Sequence, residues 1–266
     1  MKANWKIALM CLATLAMVAC KDKNQPVGPG GGGEGGGGEE EEYVNPISVS
    51  DNSAADWNAL PTEYVVSATC PADAPLTGLK SVKVFADEVY INILIEYDPE
   101  DITDLSWVPF HVYLNVDNSD ATGGYGDQFL DANTDILLEG GIFGEGNPIS
   151  YNPAVFKWWG EVGENGWLWK DPAIGEGDAS NFWGAIIGEG QANIGASQLL
   201  AGNKIEIQLL RELIPSGNAP GWSENEFGIG FDIQQNWESA GILPLVSPTD
   251  TNANGHTNKL QVKIKK

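Results

Sequence analysis

Histidine and positive charge are both scarce in this chain. Two histidines, His111 and His256, and 14 lysines and arginines stand against 37 aspartates and glutamates, for a net charge of −23. Between Lys83 and Lys259 the fixed cations are Lys157, Lys170, Lys204 and Arg211. A phosphate backbone needs a basic footprint, so nucleic acid and anionic lipid surfaces are poor partners. Zinc ligation through histidine and cysteine is nearly excluded by number, since the cysteines are Cys11, Cys20 and Cys70. The three methionines all lie at or before Met17, which leaves little for axial haem ligation. Serine chemistry needs a histidine base, and His111 has no G-x-S-x-G partner. A glycosidase would need two carboxylates across a cleft, but so many acids allow any pairing to be drawn. Helix signals are also sparse. Ala196 to Ala201 is read as a helical turn or two, stopped soon after by Ile214-Pro215-Ser216-Gly217.

What is present begins at the N-terminus. Lys2 and Lys6 precede an apolar run from Ile7 to Val18 that ends in Met17-Val18-Ala19-Cys20. The run is shorter than the roughly 20 residues of a membrane-spanning helix. It resembles a bacterial lipoprotein signal peptide with its lipobox. Residues 1–19 are then the signal and Cys20 the lipidated residue, carrying acyl chains such as palmitate. Cleavage elsewhere, with Cys20 incidental, is the competing reading. Removing Lys2 and Lys6 takes the charge to −25, and Cys70 is left without a disulfide partner. Residues 20–42 hold Pro26, Pro29, Gly30 to Gly33, Gly35 to Gly38 and the acidic run Glu39 to Glu42, with almost nothing apolar. They read as a flexible linker spanning on the order of 25 Å. Such an acidic tether resembles those of Bacteroidota lipoproteins displayed on the outer face of the outer membrane, although Lys21-Asp22-Lys23 departs from the usual export signal and a periplasmic face stays open.

Residues 43–266 are long enough for one sizeable β domain. Ser81 to Ala86 and Val89 to Tyr97 alternate apolar and polar residues around Asp87-Glu88, which is a hairpin pattern. In Val108 to Val116, Phe110, Val112, Leu114 and Val116 are expected inward, with His111, Tyr113 and Asn115 on an outward face read as an ordinary polar face, a ligand-lining surface being the alternative. The same period recurs in Lys204 to Leu210, Phe227 to Ile233 and Leu260 to Ile264, and more weakly in Asp135 to Glu139, Val155 to Trp159 and Phe182 to Ile187. The fold class expected is all-β, an antiparallel jelly-roll-like β-sandwich.

Nine tryptophans follow the signal. An indole face can stack on the apolar C–H face of a sugar, with amides and carboxylates fixing its hydroxyls. Trp158, Trp159, Trp167, Trp169 and Trp183 lie close in sequence and are the candidate ligand-binding set. Adjacent Trp158 and Trp159 on a strand point to opposite faces, so one of them leaves the core. For each indole, filling the interior is the competing reading, and Trp57 and Trp237, beside apolar strands, read as structural. Asp117, Asn118, Asp120, Asp127, Asp131 and Asp135 gather oxygen ligands in one stretch. Asp117, Asp120 and Asp127 are the candidate metal ligands, for a structural calcium, with a solvated acidic loop as the alternative.

Three stretches together carry a family resemblance. Ile47-Ser48-Val49-Ser50-Asp51 with Asp56-Trp57-Asn58-Ala59-Leu60-Pro61 comes first. Leu114-Asn115-Val116-Asp117-Asn118-Ser119-Asp120-Ala121-Thr122-Gly123-Gly124 and Thr134-Asp135-Ile136-Leu137-Leu138-Glu139-Gly140 follow. Last come Val155-Phe156-Lys157-Trp158-Trp159-Gly160 and Asn165-Gly166-Trp167-Leu168-Trp169. In order and spacing they resemble family 9 carbohydrate-binding modules and related DOMON-like sandwiches. Asn115 stands where those modules commonly have aspartate. The resemblance implies a non-catalytic glycan-binding lipoprotein whose partner is an oligo- or polysaccharide. A structural or adhesion lipoprotein contacting another envelope protein, or an unrecognised glycoside hydrolase, is the alternative.

Overall fold

The computed structural model describes residues 43–124, 129–163, 183–191, 193–247 and 255–266, and the backbone of 169–170. Residues 1–42, read above as signal, lipidated Cys20 and linker, lie outside them. Val44–Lys266 form one compact unit.

The unit is built from strands. A first group comprises β1 (Val65–Thr69), β2 (Leu79–Asp87), β3 (Tyr90–Tyr97) and β4 (Trp107–Asn115). Then come β5 (Ile136–Gly144), β6 (Asn147–Pro148), β7 (Ala154–Trp158), β8 (Trp169–Lys170) and β9 (Trp183–Ile187). The chain closes with β10 (Gly195–Leu200), β11 (Lys204–Leu210), β12 (Glu226–Gln235), β13 (Glu238–Leu243) and β14 (Leu260–Lys265). Among the described residues the helical pieces are short 3-10 turns at Ala55–Asn58, Thr62–Tyr64 and Arg211–Leu213. The stretch read as helical, Ala196 to Ala201, lies almost wholly in β10, paired with β11 from Gly195↔Leu209 to Leu200↔Lys204. Its small polar residues belong to an edge strand, where one side of the ladder is unpaired and apolar alternation is weak.

The strands run in the order β10-β11-β3-β2-β14-β12-β4-β5-β7-β9-β8, with β1 on β2, β13 on β12 and β6 on β5. Pairing is mostly antiparallel, as the hairpin patterns imply, but the sheet is mixed. β14 pairs antiparallel with β12 through Leu260 to Lys263, and parallel with β2 through Ile264↔Ala86 and Lys265↔Asp87. β8 also runs parallel to β9. The expectation of a purely antiparallel sheet is corrected here. One strand that serves two partners cannot be antiparallel to both when those partners run in opposed directions.

Through this corner the sheet curls, and its two halves share one core. Val82, Val84, Ile91, Ile93, Ile207 and Leu209 from one half join Phe110, Val112, Leu138, Phe231 and Val262 from the other, all fully buried. Ring contacts cross the middle: Tyr97 meets Phe143 edge-on at 5.5 Å. Phe110 stacks on Phe231 at 6.0 Å. At roughly 1.5–3 kcal/mol for each large apolar side chain buried, this layer supplies the main drive to fold. Among the described residues it does so without a disulfide. Cys70 is a free thiol, pushed up by burial.

Both outer faces are also covered. On β2, β3 and β10, Phe85, Leu94 and Leu200 lie under Ile47, Trp57 and Leu60 from the segment before β1. The Trp57 indole N–H donates to Glu206 Oε1 at 2.6 Å. On β12 and β4, Phe129 lies so close over Gly230 that a Cβ there would collide with its ring. Phe129 also meets Tyr113 edge-on at 5.4 Å.

Candidate functional site

β7 and β9 position the tryptophans. Register pairs Trp158 with Trp183 and Lys157 with Gly184, so alternation sends the first pair to one face and the second to the other. Trp158 and Trp183 lie on the face of Leu137 and Tyr113, edge to face at 5.2 Å, with both rings covered by protein. Trp158 also donates its N–H to Glu161 O at 3.0 Å. As ligand platforms they are therefore withdrawn. Trp159 points the other way and is 44% exposed. Its indole lies over Gly184, where any Cβ would collide with it. The Lys157 ammonium stands 3.7 Å from its ring centroid. Lys157 Nζ donates to Asn218 Oδ1 at 3.2 Å, and Asn218 Nδ2 donates to Trp158 O at 2.7 Å. Ile186, on the same face of β9 as Gly184, is exposed. The result is an indole fixed at a strand end beside one amide and one cation. Trp167 lies outside the described residues, and of Trp169 only the backbone, in β8, is described.

The acidic stretch folds on itself. Gly124 and Thr134 exchange two backbone hydrogen bonds, at 3.1 and 2.7 Å, closing the loop between β4 and β5. Asp117 accepts from the Thr122 hydroxyl and the Ser119 amide. Asp120 accepts from Asn133 Nδ2 at 2.7 Å. Asp131 takes Lys259 Nζ at 2.9 Å and the Lys259 amide at 3.0 Å, and this ammonium is fully buried. Burial lowers the Lys259 pKa while Asp131 opposes the shift. Asp135 is buried and accepts from the Val116 amide at 2.9 Å. Burial and the neighbouring Asp117 carboxylate push its pKa up to about 7. Asp127 lies outside the described residues. Among the described residues no three histidine, cysteine, aspartate or glutamate side chains are grouped to hold a metal. Asp117 and Asp120 are each already engaged by neighbours within the loop.

The face carrying His111, Tyr113 and Asn115 is the largest departure from expectation. It does point away from Phe110, Val112 and Leu114, but all three side chains are buried. Across β12, β4 and β5 the register sets Asp232, His111 and Glu139 in one row. His111 Nε2 lies 3.1 Å from Glu139 Oε2, and His111 Nδ1 lies 3.2 Å from the Tyr113 hydroxyl. Gln234 Nε2 donates to Asp232 Oδ2 at 2.9 Å, as does the Ser239 hydroxyl. Burial pushes the Asp232 pKa up to about 6, with His111 opposing. Burial, with Asp232 and Glu139 adding to it, also raises the Tyr113 phenol well above its usual range. The residues missed from sequence were Glu139, Asp232 and Gln234. Their sequence signal was the single acid or amide at an alternate position of an apolar strand.

Trp237 also departs from expectation. Trp57 is structural as read, but Trp237 sits at the tip of the β12–β13 hairpin and is 61% exposed. A separate cleft of about 330 Å³ beside β10 is walled by Ile142, Ile149, Leu199 and Ile205, with Ser150 and Ser197. It has no aromatic and no charged lining residue. Neither a family model nor a curated protein matches the chain.

Proposed function

We propose that this chain is a non-catalytic, lipid-anchored β-sandwich of the jelly-roll type that binds glycan at a bacterial outer membrane, displayed on the cell surface. The lipobox-like Cys20 and the glycine- and glutamate-rich linker support the anchor and the display. Two sheet halves around one core, and motifs whose order and spacing resemble family 9 carbohydrate-binding modules, support the sandwich. The observation that carries the ligand class is Trp159. Its ring is held at the surface by Gly184 and Lys157, with the Asn218 amide alongside. A half-exposed indole beside hydrogen-bonding groups is the usual chemistry for a sugar ring and its hydroxyls. The imidazole of His111, closed from solvent and placed between Glu139 and Tyr113, supports reading the buried row as structural rather than catalytic. Ile186, exposed two residues beyond Gly184 on β9, favours a second reading, in which this part of the sheet is an anchor for another envelope protein.

Affinity gel electrophoresis of residues 43–266 through soluble polysaccharides tests the choice. Wild type is retarded by at least one polysaccharide, and Trp159→Ala loses about tenfold in affinity with an unchanged near-ultraviolet circular dichroism spectrum. Unretarded migration of the wild type in every gel would reject the glycan reading in favour of the protein partner.

A further inference from the structure

The β12–β13 hairpin carries a tryptophan where backbone sterics favour glycine. Gln235 pairs with Glu238, which leaves Asn236 and Trp237 as a two-residue loop. Both have positive φ, 54° and 66°. That is the sign pattern of a type I′ turn, whose twist matches the strands and whose preferred residues are Asn-Gly. Asn236 suits its place. Trp237 does not, because a bulky side chain in the left-handed region carries a steric cost. Elsewhere in the molecule such a cost could be offset by packing, but this indole is the most exposed of the described tryptophan side chains, at 61%. Strain held at an exposed position without compensating burial marks a residue kept for contact with something outside the chain.

The tip is also held firmly. Gln235 Oε1 accepts from the amides of Thr103 and Asp104 at 2.7 and 2.9 Å, and its Nε2 donates to Asp104 O at 2.9 Å. A ring presented on a clamped turn loses little freedom when it binds. Asn236, Glu238 and Asp104 are exposed around the turn and can accept or donate to hydroxyls. The net charge of −23 disfavours an anionic chain.

Resting on the glycan reading above, we infer that the hairpin tip is a second glycan contact, in which the Trp237 indole stacks on a pyranose ring of a neutral polysaccharide. The contact is remote from Trp159. β4 runs from Trp107, at the end where the hairpin turns, to Asn115, near the register of Ile136 and Lys157. Those eight steps amount to about 26 Å. A long polymer can engage both contacts, whereas a short oligosaccharide engages one, so the two add avidity for chains.

The test uses Trp237→Gly in affinity gels of neutral polysaccharides such as xylan, mixed-linkage glucan and galactomannan, with thermal melting alongside. Glycine relieves the turn, so the variant melts about 2–4 °C higher while losing about tenfold in affinity for the polymer that retards wild type. Trp237→Asn, also at ease at positive φ, behaves in the same way. Equal retardation of wild type and Trp237→Gly overturns the inference and leaves the glycan reading standing on Trp159. A lower melting temperature for both variants overturns it too, because the indole would then be packing. Wild type unretarded by every polysaccharide removes the inference and the glycan reading together.

Discussion

The two covered outer faces of the sheet solve the same problem with different chemistry. On β2, β3 and β11 the segment before β1 lays Ile47, Trp57 and Leu60 over Phe85 and Leu94, and the one carboxylate there, Glu206, takes the Trp57 N–H. On β12, β4 and β5 the buried polar side chains are Asp232, His111, Tyr113, Gln234 and Asn115, with Glu139 at the margin, and Phe129 lies against Tyr113 and Gly230. The first face is stabilised by removing apolar area from water. The second is stabilised by satisfying polar groups, which contributes little net but costs much when a partner is lost. The apolar cover should therefore lose most when a ring is truncated, and the polar one when a single charged or hydrogen-bonding partner is removed.

Trp57→Ala is the hardest blow to this contrast. It empties the apolar cover and strips Glu206 of its donor, for an expected loss of about 4 kcal/mol in urea unfolding. A loss below about 1 kcal/mol would mean that the N-terminal segment is not part of the folded core. Lys259→Met comes next. It leaves the Asp131 carboxylate without its buried ammonium, at an expected cost of about 3 kcal/mol, and Lys259→Met with Asp131→Asn recovers much of it. Full additivity of the two substitutions would show that the pair is not coupled.

The smallest effect has the opposite sign. Asp232 has a folded pKa raised from 3.8 to about 6 by burial. Its contribution to stability is therefore complete below the unfolded value and lost as pH rises through 6. Asp232→Asn should be more stable than wild type at pH 8, by no more than about 3 kcal/mol, and close to it at pH 4. His111, Tyr113, Glu139, Gln234 and Ser239 face or flank this carboxylate. Asp135, raised to about 7, keeps a second slope of the same sign in both proteins. A pH-independent difference between them would sharpen the comparison in the other direction, making the polar cover a packing device.

Much of the strand layout was legible because alternation is a local signal. Lys204 to Leu210 coincides with β11, and the hairpin around Asp87-Glu88 is present, its turn held by Asp87 Oδ1 accepting from the Val89 and Tyr90 amides. Trp158 and Trp159 do diverge. β10 reads as a helical turn and β1 and β13 escape notice, because strands carrying Ser, Gln, Gly and Ala have no clear period. The candidate ring set was less legible. Trp158 and Trp183 look like Trp159 in sequence, and their burial depends on pairing with each other across two strands. Trp237 was read inward from its apolar neighbours, although a two-residue turn places it at a tip.

The order of residues alone determined a strand-rich chain poor in cations and helices, and which side chains of each strand share a face, because a strand's period of two is set by backbone geometry. Which shared faces end up covered, and by what, was decided by tertiary structure. β14 joins two halves of the sheet, the segment before β1 closes one side, and the Phe129 loop closes the other. Those contacts link residues far apart along the chain, and no local pattern encodes them.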